Sequence, residues 1–275
     1  MPQDIRGGVP THWISAGAGP RRALMIHCSL GHAGGWARMA AALDDLVTAI
    51  AYDLPGHGRS ADWDGVSDIQ AVSTAMAVDL LADQGQGPAD IIGHSFGGTV
   101  ALRLAVERPD LVRSLVLFEP VFFAVAAADR PDLDVGNDPH MIRYRDALHA
   151  GDRDGAARAF TSVWGDGRGW DSLPPAQKQA LAARIHLIEA GASAIYGDGA
   201  AMLSGGKLEG ITCPVLLMRG GDSPEAITVI NDGLARRIPQ ARQAVVQGAG
   251  HMAPITHPAE VAALTRAFLQ DHPAT

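Results

Sequence analysis

The chain has 275 residues, of which 47% are hydrophobic and 19% charged, with a formal net charge of −8. That length suits one large α/β domain, or a domain with an insertion, and it can bury a sizeable core. The acidic balance and the lack of any basic patch argue against nucleic acid or an anionic membrane as partner.

No internal repeat or low-complexity tract interrupts the chain, and no apolar run reaches membrane-spanning length. The start, Met-Pro-Gln-Asp-Ile-Arg-Gly-Gly, lacks the charged-then-apolar pattern of a signal peptide, so a cytoplasmic protein is expected. Residues 11–17 predict a polar edge strand, and 22–28 a continuous apolar strand of the kind covered on both faces. A loop, Ser29-Leu-Gly-His-Ala-Gly-Gly-Trp36, leads to a helix over 36–43. The strand 47–53 ends in the turn Pro55-Gly-His-Gly-Arg-Ser60. A helix over 68–83 then places Ile69, Val72, Met76 and Leu80 on one face.

Ile91 and Ile92 close the next apolar strand, and a helical stretch over 99–107 follows; 112–118 is a further strand, ended by Glu119-Pro120. From 121 to 206 strand-like runs give way to helical patches at 140–149, 153–164 and 176–190. That shift marks a helical cap inserted into a core made of residues 1–120 and 207–275. Strand 213–218, helix 225–237, strand 242–247 and helix 258–270 complete the chain. The alternation predicts an α/β fold with a mainly parallel, doubly wound sheet. Cys28 and Cys213 both fall in predicted strands and read as packed, reduced thiols. No Cys/His cluster has zinc-ligand spacing, so neither a metal nor a cofactor is expected.

Gly93-His-Ser-Phe-Gly97 sits between a strand and a helix, the context of a nucleophile elbow. The two glycines clear the space beside a strained turn that lifts Ser95 off the sheet and aims the Phe96 N–H at whatever the serine attacks. The spacing is neither that of a dinucleotide loop nor that of a P-loop. A serine hydroxyl needs a base. Among eleven histidines, His251 alone follows a late strand in a glycine-lined loop, Gln247-Gly-Ala-Gly-His251, just before the last helix.

These pieces together resemble the α/β-hydrolase fold: His27 and its loop, Asp53-Leu-Pro-Gly-His-Gly-Arg-Ser60, Gly93 to Gly97, Pro214 to Gly220, and Gly250-His251. The resemblance covers residues 22–119 and 211–270, leaving the cap unmatched, and it makes 53–60 a structural turn with His57 no catalyst. In most of that family the triad acid follows the strand after the cap. Here that stretch reads Gly220-Gly-Asp-Ser-Pro224, so Ser223 holds the usual slot and Asp222 comes one residue early. Some relatives, including one branch of the haloalkane dehalogenases, carry the acid after the strand that follows the elbow helix, which is Glu119 here. Glu119 is preferred and Asp222 stays open. The oxyanion donors would be the N–H groups of Phe96 and, by resemblance, Ser29, with Leu30 next in line.

The resemblance implies a cofactor-free serine hydrolase acting on a small-molecule ester or lactone. The loop Ser29-Leu-Gly31 is similar to that of 3-oxoadipate enol-lactonases. Carbon–carbon bond hydrolysis, perhydrolysis and an idle binding module on the same fold remain alternatives. A serine in place of aspartate at the elbow argues against dehalogenase or epoxide hydrolase chemistry. Phe122, Phe123, Met141, Tyr144, Trp164 and Trp170 are the cap's large apolar residues, without individual assignment.

Overall fold

The computed structural model of the protein describes residues 3–273 except 84 and 86. Among them eight strands form one sheet: β1 (Gln3–Arg6), β2 (Val9–Ala16), β3 (Arg21–Ile26), β4 (Val47–Tyr52), β5 (Ala89–His94), β6 (Val112–Phe118), β7 (Val215–Gly220) and β8 (Ala241–Val246). Their spatial order is β1-β2-β4-β3-β5-β6-β7-β8. The β1–β2 and β2–β4 pairs are antiparallel, and every pair from β4 to β8 is parallel. The helices are α1 (Ala37–Ala42), α2 (Ile69–Asp83), α3 (Phe96–Glu107), α4 (Phe123–Asp129), α5 (Pro139–His149), α6 (Arg153–Trp164), α7 (Pro175–Arg184), α8 (Leu187–Ala190), α9 (Ala192–Tyr196), α10 (Glu225–Arg237), α11 (Ala253–Thr256) and α12 (Pro258–Asp271). Among the described residues no helix is long and apolar enough to cross a membrane.

The apolar runs are continuous because both faces of the sheet are covered. Leu24, Ile26, Ile91, Leu115 and Leu117 share a buried cluster with Met76 and Leu80 of α2, Val100 and Leu104 of α3, and Ile230 of α10. Ala23, Met25, Ile92, Val116 and Met218 point the other way, into a cluster with Met39 of α1 and Val261, Phe268 and Leu269 of α12. Between β6 and β7 the described residues hold helices and no strand, and Met141, Tyr144, Ala157, Ile185 and Ile188 form a small core of their own there.

Several local expectations are corrected. A first strand, β1, precedes the expected one, joined to β2 through Gly7 and Gly8 at φ 53° and 80°. Two positive φ angles in a row suit a two-residue hairpin whose twist matches the strands. Cys28 lies beyond β3, because its carbonyl accepts from the Gly31 N–H and the chain turns there. Cys213 lies before β7, ahead of Pro214, which has no N–H to offer a ladder. The helix expected at 99–107 begins at Phe96, directly after the serine. α2 is buried on more than the expected face: Gln70, Ser73, Thr74 and Ala77 are buried, while Val72 is half-buried. Its hydroxyls donate to the carbonyls of Ile69 and Gln70, and the Gln70 amide donates to Thr99, so no polar cost remains.

The strand order reverses between β3 and β5. The chain leaves β3 for β4 on one side and later lays β5 on the other. A crevice opens where these connections part, at the carboxyl ends of the strands. The opposite end is closed by charge. Asp90, fully buried in β5, accepts from Arg21 Nε at 2.8 Å, Arg113 Nε at 3.0 Å and Ser114 Oγ at 2.7 Å. Arg21 also donates through Nη1 to the carbonyls of Leu269 and His272 at the end of α12.

Burial alone would raise the Asp90 carboxyl, but the hydrogen bonds from Arg113, Arg21 and Ser114 outweigh it and hold it below the usual range. A carboxyl lowered on folding contributes stability above its unfolded value, about pH 4, and loses it as pH falls through the folded one. Asp90→Ala leaves two arginines without their anion and is expected to cost about 3–5 kcal/mol at neutral pH. Urea unfolding measures this; a loss within 0.5 kcal/mol, the ordinary surface range, would refute it.

Candidate active site

The carboxyl ends of β3, β5, β6 and β7 meet at the crevice. Ser95 follows β5 at once and caps α3 with φ 56° and ψ −121°, a conformation that costs of order 1–3 kcal/mol outside glycine. Its N–H is satisfied by the Phe118 carbonyl at 3.0 Å, which ties the turn to the end of β6. Glu119 comes next on that strand, also at positive φ (46°), and its N–H donates to the Met218 carbonyl of β7 at 2.9 Å. The chain thus leaves the ladder with the carboxylate turned towards the loop after β8.

In that loop the His251 Nδ1–H donates to Glu119 Oε2 at 2.7 Å. Nε2 is then the unprotonated nitrogen, and it accepts from Ser95 Oγ at 2.9 Å. The three side chains are buried, Glu119 completely. The other carboxylate oxygen of Glu119 accepts from the Gly220 N–H at 2.6 Å and from the Ser223 hydroxyl. Asp222 takes no part in this chain: its side chain is exposed and its N–H donates to the Ala249 carbonyl. The structure therefore brings Ser95, His251 and Glu119 together and leaves Asp222 at the surface. Gly220 makes the approach of β7 to the histidine loop possible, since a Cβ there would lie 2.2 Å from the Ala249 carbonyl.

Two N–H groups at this site, those of Ser29 and Phe96, have no acceptor among the described residues. Phe96 opens α3, and the first N–H of a helix has no intrahelical partner. The third candidate, the Leu30 N–H, is already occupied: it donates to His57 Nε2 at 3.0 Å. This separates Ser29 from Leu30, whose own φ of 62° is left-handed.

Three histidines beyond His251 build the surroundings; the sequence places them in the loop after β3, the 53–60 turn and the elbow, but not their partners. The His57 Nδ1–H donates to the Pro55 carbonyl at 2.9 Å, so Nε2 can accept from Leu30. His27 does the reverse across the same gap: Nδ1–H donates to the Cys28 carbonyl, and Nε2 accepts from the Leu54 N–H at 3.0 Å. Each ring therefore holds the other's loop, with ring centroids 5.2 Å apart. His94 donates through Nε2 to the His251 carbonyl at 2.9 Å and fixes that loop from below the serine. The glycine-rich turn after β4 is anchored by Asp53, which accepts from the N–H groups of Ala33 and Arg59 and from His12 Nδ1.

A chamber of about 130 Å³ opens on Ser95 and His251, walled by Phe123, Met141, Trp164, Ile188 and Ile195. Trp164 packs edge-on against the His251 ring at 4.9 Å, and Phe123 stacks on Tyr196. Of the large apolar residues of this helical segment, Phe122 and Tyr144 belong to buried cores, and Trp170 flanks the segment's own cluster. A second chamber, of about 420 Å³, is lined by Leu30 and Met252, the residues next to Ser29 and His251. Among the described residues no three His, Cys, Asp or Glu side chains are grouped so as to hold a metal ion.

The alpha/beta hydrolase family model matches residues 23–264. A pimeloyl-[acyl-carrier protein] methyl ester esterase of Neisseria meningitidis is 30% identical over 259 residues, 86% of this chain and 91% of that protein. Lipase LipV of Mycobacterium tuberculosis is 39% identical over 149 residues, 54% of this chain and 53% of the lipase. Among solved structures, Est816, described as an N-acyl homoserine lactone degrading enzyme, superposes with a TM-score of 0.74 at 21% identity, covering 98% of this chain and 100% of that one.

Burial lowers His27 to about 4 and His57 to about 3, so both rings are neutral in the folded protein. An unfolded histidine binds its proton near pH 6.5, so acid favours the unfolded chain over this window. Stability is fully present above about pH 6.5 and is expected to fall steadily towards pH 4, by about 3 kcal/mol for His27 alone. Urea midpoints measured from pH 7 to 4 test this. A flat profile down to pH 5 would exclude the neutral pair.

Proposed function

We propose, starting from a chain that belongs to the alpha/beta hydrolase family, that it cleaves a carboxylic ester or lactone through an acyl-enzyme. The observation that carries the reading is the unbroken chain from Ser95 Oγ to His251 to Glu119, at 2.9 and 2.7 Å, beside two unused N–H groups. His251 takes the serine proton as Ser95 attacks the carbonyl carbon. Glu119 holds the ring in the required tautomer and stabilises the imidazolium. The oxyanion is received by the N–H groups of Ser29 and Phe96, each worth about 3 kcal/mol of barrier. His251 then protonates the leaving alcohol, and a water deprotonated by the same ring releases the acid.

The helical segment at 121–206 acts as a cap that encloses the acyl group in the smaller chamber. The relatives support ester chemistry, since two carry the names of a methyl ester esterase and a lipase. Two unpaired cysteines fit a cytoplasmic location. The reading needs neither cofactor nor metal.

A p-nitrophenyl ester series from acetate upwards tests the mechanism. Wild type is expected to turn over the short esters, and Ser95→Ala to lose the activity; turnover that survives the change would mean the nucleophile lies elsewhere. Glu119→Gln is expected to lower kcat by about 10⁴, the drop that follows when a triad acid loses its charge. Asp222→Asn should stay within a few-fold of wild type. The reverse pattern would transfer the role to Asp222.

A further inference from the structure

The smaller chamber is mostly apolar apart from Ser29, Ser95 and His251 and three further polar side chains. Beside its aromatic and aliphatic walls it receives Arg145 from α5, Glu189 from α8 and Tyr196 from α9. We propose that the acyl group bonded to Ser95 carries a second carboxylate, and that Arg145 receives it, so that the substrates are half-esters of short dicarboxylic acids. This rests on the acyl-enzyme reading above and names its substrate class.

The charge of Arg145 is unanswered. Its guanidinium donates through Nη1 to the Gly136 carbonyl and through Nη2 to Asn137 Oδ1 at 3.3 Å, both neutral acceptors. No carboxylate among the described residues forms an ion pair with it. Arg158 and Arg168, on the same helical segment, are paired with Asp171 and Asp166. A guanidinium has five N–H donors in a planar fork, so one backbone and one side-chain anchor leave donors free and fix the plane in which they point. A half-buried arginine in the wall of a largely apolar chamber pairs best with an anion that arrives with the substrate.

Glu189 also lines the chamber and acts on Tyr144 and Tyr196, but it is exposed, so water screens its charge. Burial pushes the Tyr196 phenol up to about 12, so its hydroxyl stays a neutral donor. Asp138 acts on Tyr196 from the start of α5 and does not line the chamber. Size sets the chain length. A cavity of 150 Å³ holds benzene, so a chamber of about 130 Å³ takes about six heavy atoms beyond the carbonyl bonded to Ser95. A succinyl group places about five atoms there and a glutaryl group about six.

The test compares monomethyl glutarate with methyl pentanoate, equal in chain length and different in charge, by pH-stat. Wild type is expected to show a kcat/KM at least tenfold higher for the half-ester. Arg145→Gln should lower the ratio of the two values by roughly ten- to a hundredfold, the worth of a hydrogen-bonded charge. Arg145→Lys, which keeps the charge without the fork, should recover part of it. Glutarate should also compete with p-nitrophenyl acetate more strongly than pentanoate does. A wild-type ratio near or below one, or a ratio untouched by Arg145→Gln, overturns the proposal and leaves Arg145 as a clamp on the 136–137 loop. Turnover of p-nitrophenyl esters with neither methyl ester accepted and no competition by glutarate also overturns it. Loss of all ester turnover would instead remove the acyl-enzyme reading itself.

Discussion

Gly97 lies so close to the end of β3 that a Cβ on it would stand 2.3 Å from the Ile26 carbonyl and 2.5 Å from that of His27. Gly93 is pressed the other way, against the Gly97 carbonyl and the Gly98 Cα. Between them the chain must pass from a central strand into α3 within one residue, and Ser95 carries the whole change of direction at φ 56°. Close packing of backbone on backbone, with no side chain between, is what sets the serine, the Phe96 N–H and the loop after β3 at a fixed distance from each other. Preorganised donors act on a developing charge only when such distances do not relax. The strain at Ser95 is sustained because strand pairing on both sides of β5 leaves the turn no alternative.

From that turn outward, each polar group is held by another group that has no second choice. The His251 ring is fixed by Glu119, Glu119 by the Gly220 N–H and the Ser223 hydroxyl, and the His251 carbonyl by His94. His27 and His57 do the same for the two loops on the other side of the crevice. Neutral imidazoles suit the task. Each offers one donor and one acceptor on opposite sides of a rigid ring, and burial keeps a second proton off.

Ser95 and His251 are legible in the sequence because their chemistry demands local backbone that only certain residues allow, glycines around the one and a glycine loop before the other. The strand–helix alternation is legible for a similar reason, since runs such as 112–118 must be apolar on both faces to be covered twice. The carboxylate that meets His251 is half legible. Its choice depends on which of two loops turns inward, a matter of one φ angle at Glu119 and of Ser223 supplying a donor where an acid would otherwise stand. The partners of His27, His57 and His94 are invisible in one dimension, because each bond joins segments that only the sheet brings together. β1 is not legible although Gly7-Gly8 marks its turn, since a four-residue polar strand has no periodicity to read. Arg145 gave no signal, because an arginine on a helix is most often a solvated one.

The charged lock at the far end of the sheet has a kinetic side. Arg21 belongs to an early strand, yet two of its hydrogen bonds end on Leu269 and His272, the latter 251 positions later. At ~5–20 residues per second of synthesis, those carbonyls emerge on the order of ten to fifty seconds after Arg21 does. Through that interval β3 can pair with β4 and β5, but the guanidinium's remaining donors face solvent and the groove for α12 stands open over Met25 and Val116. The contacts of the last helix are therefore among the latest that synthesis makes available to β3. Until that helix docks, the apolar face it covers is the surface a chaperone would hold.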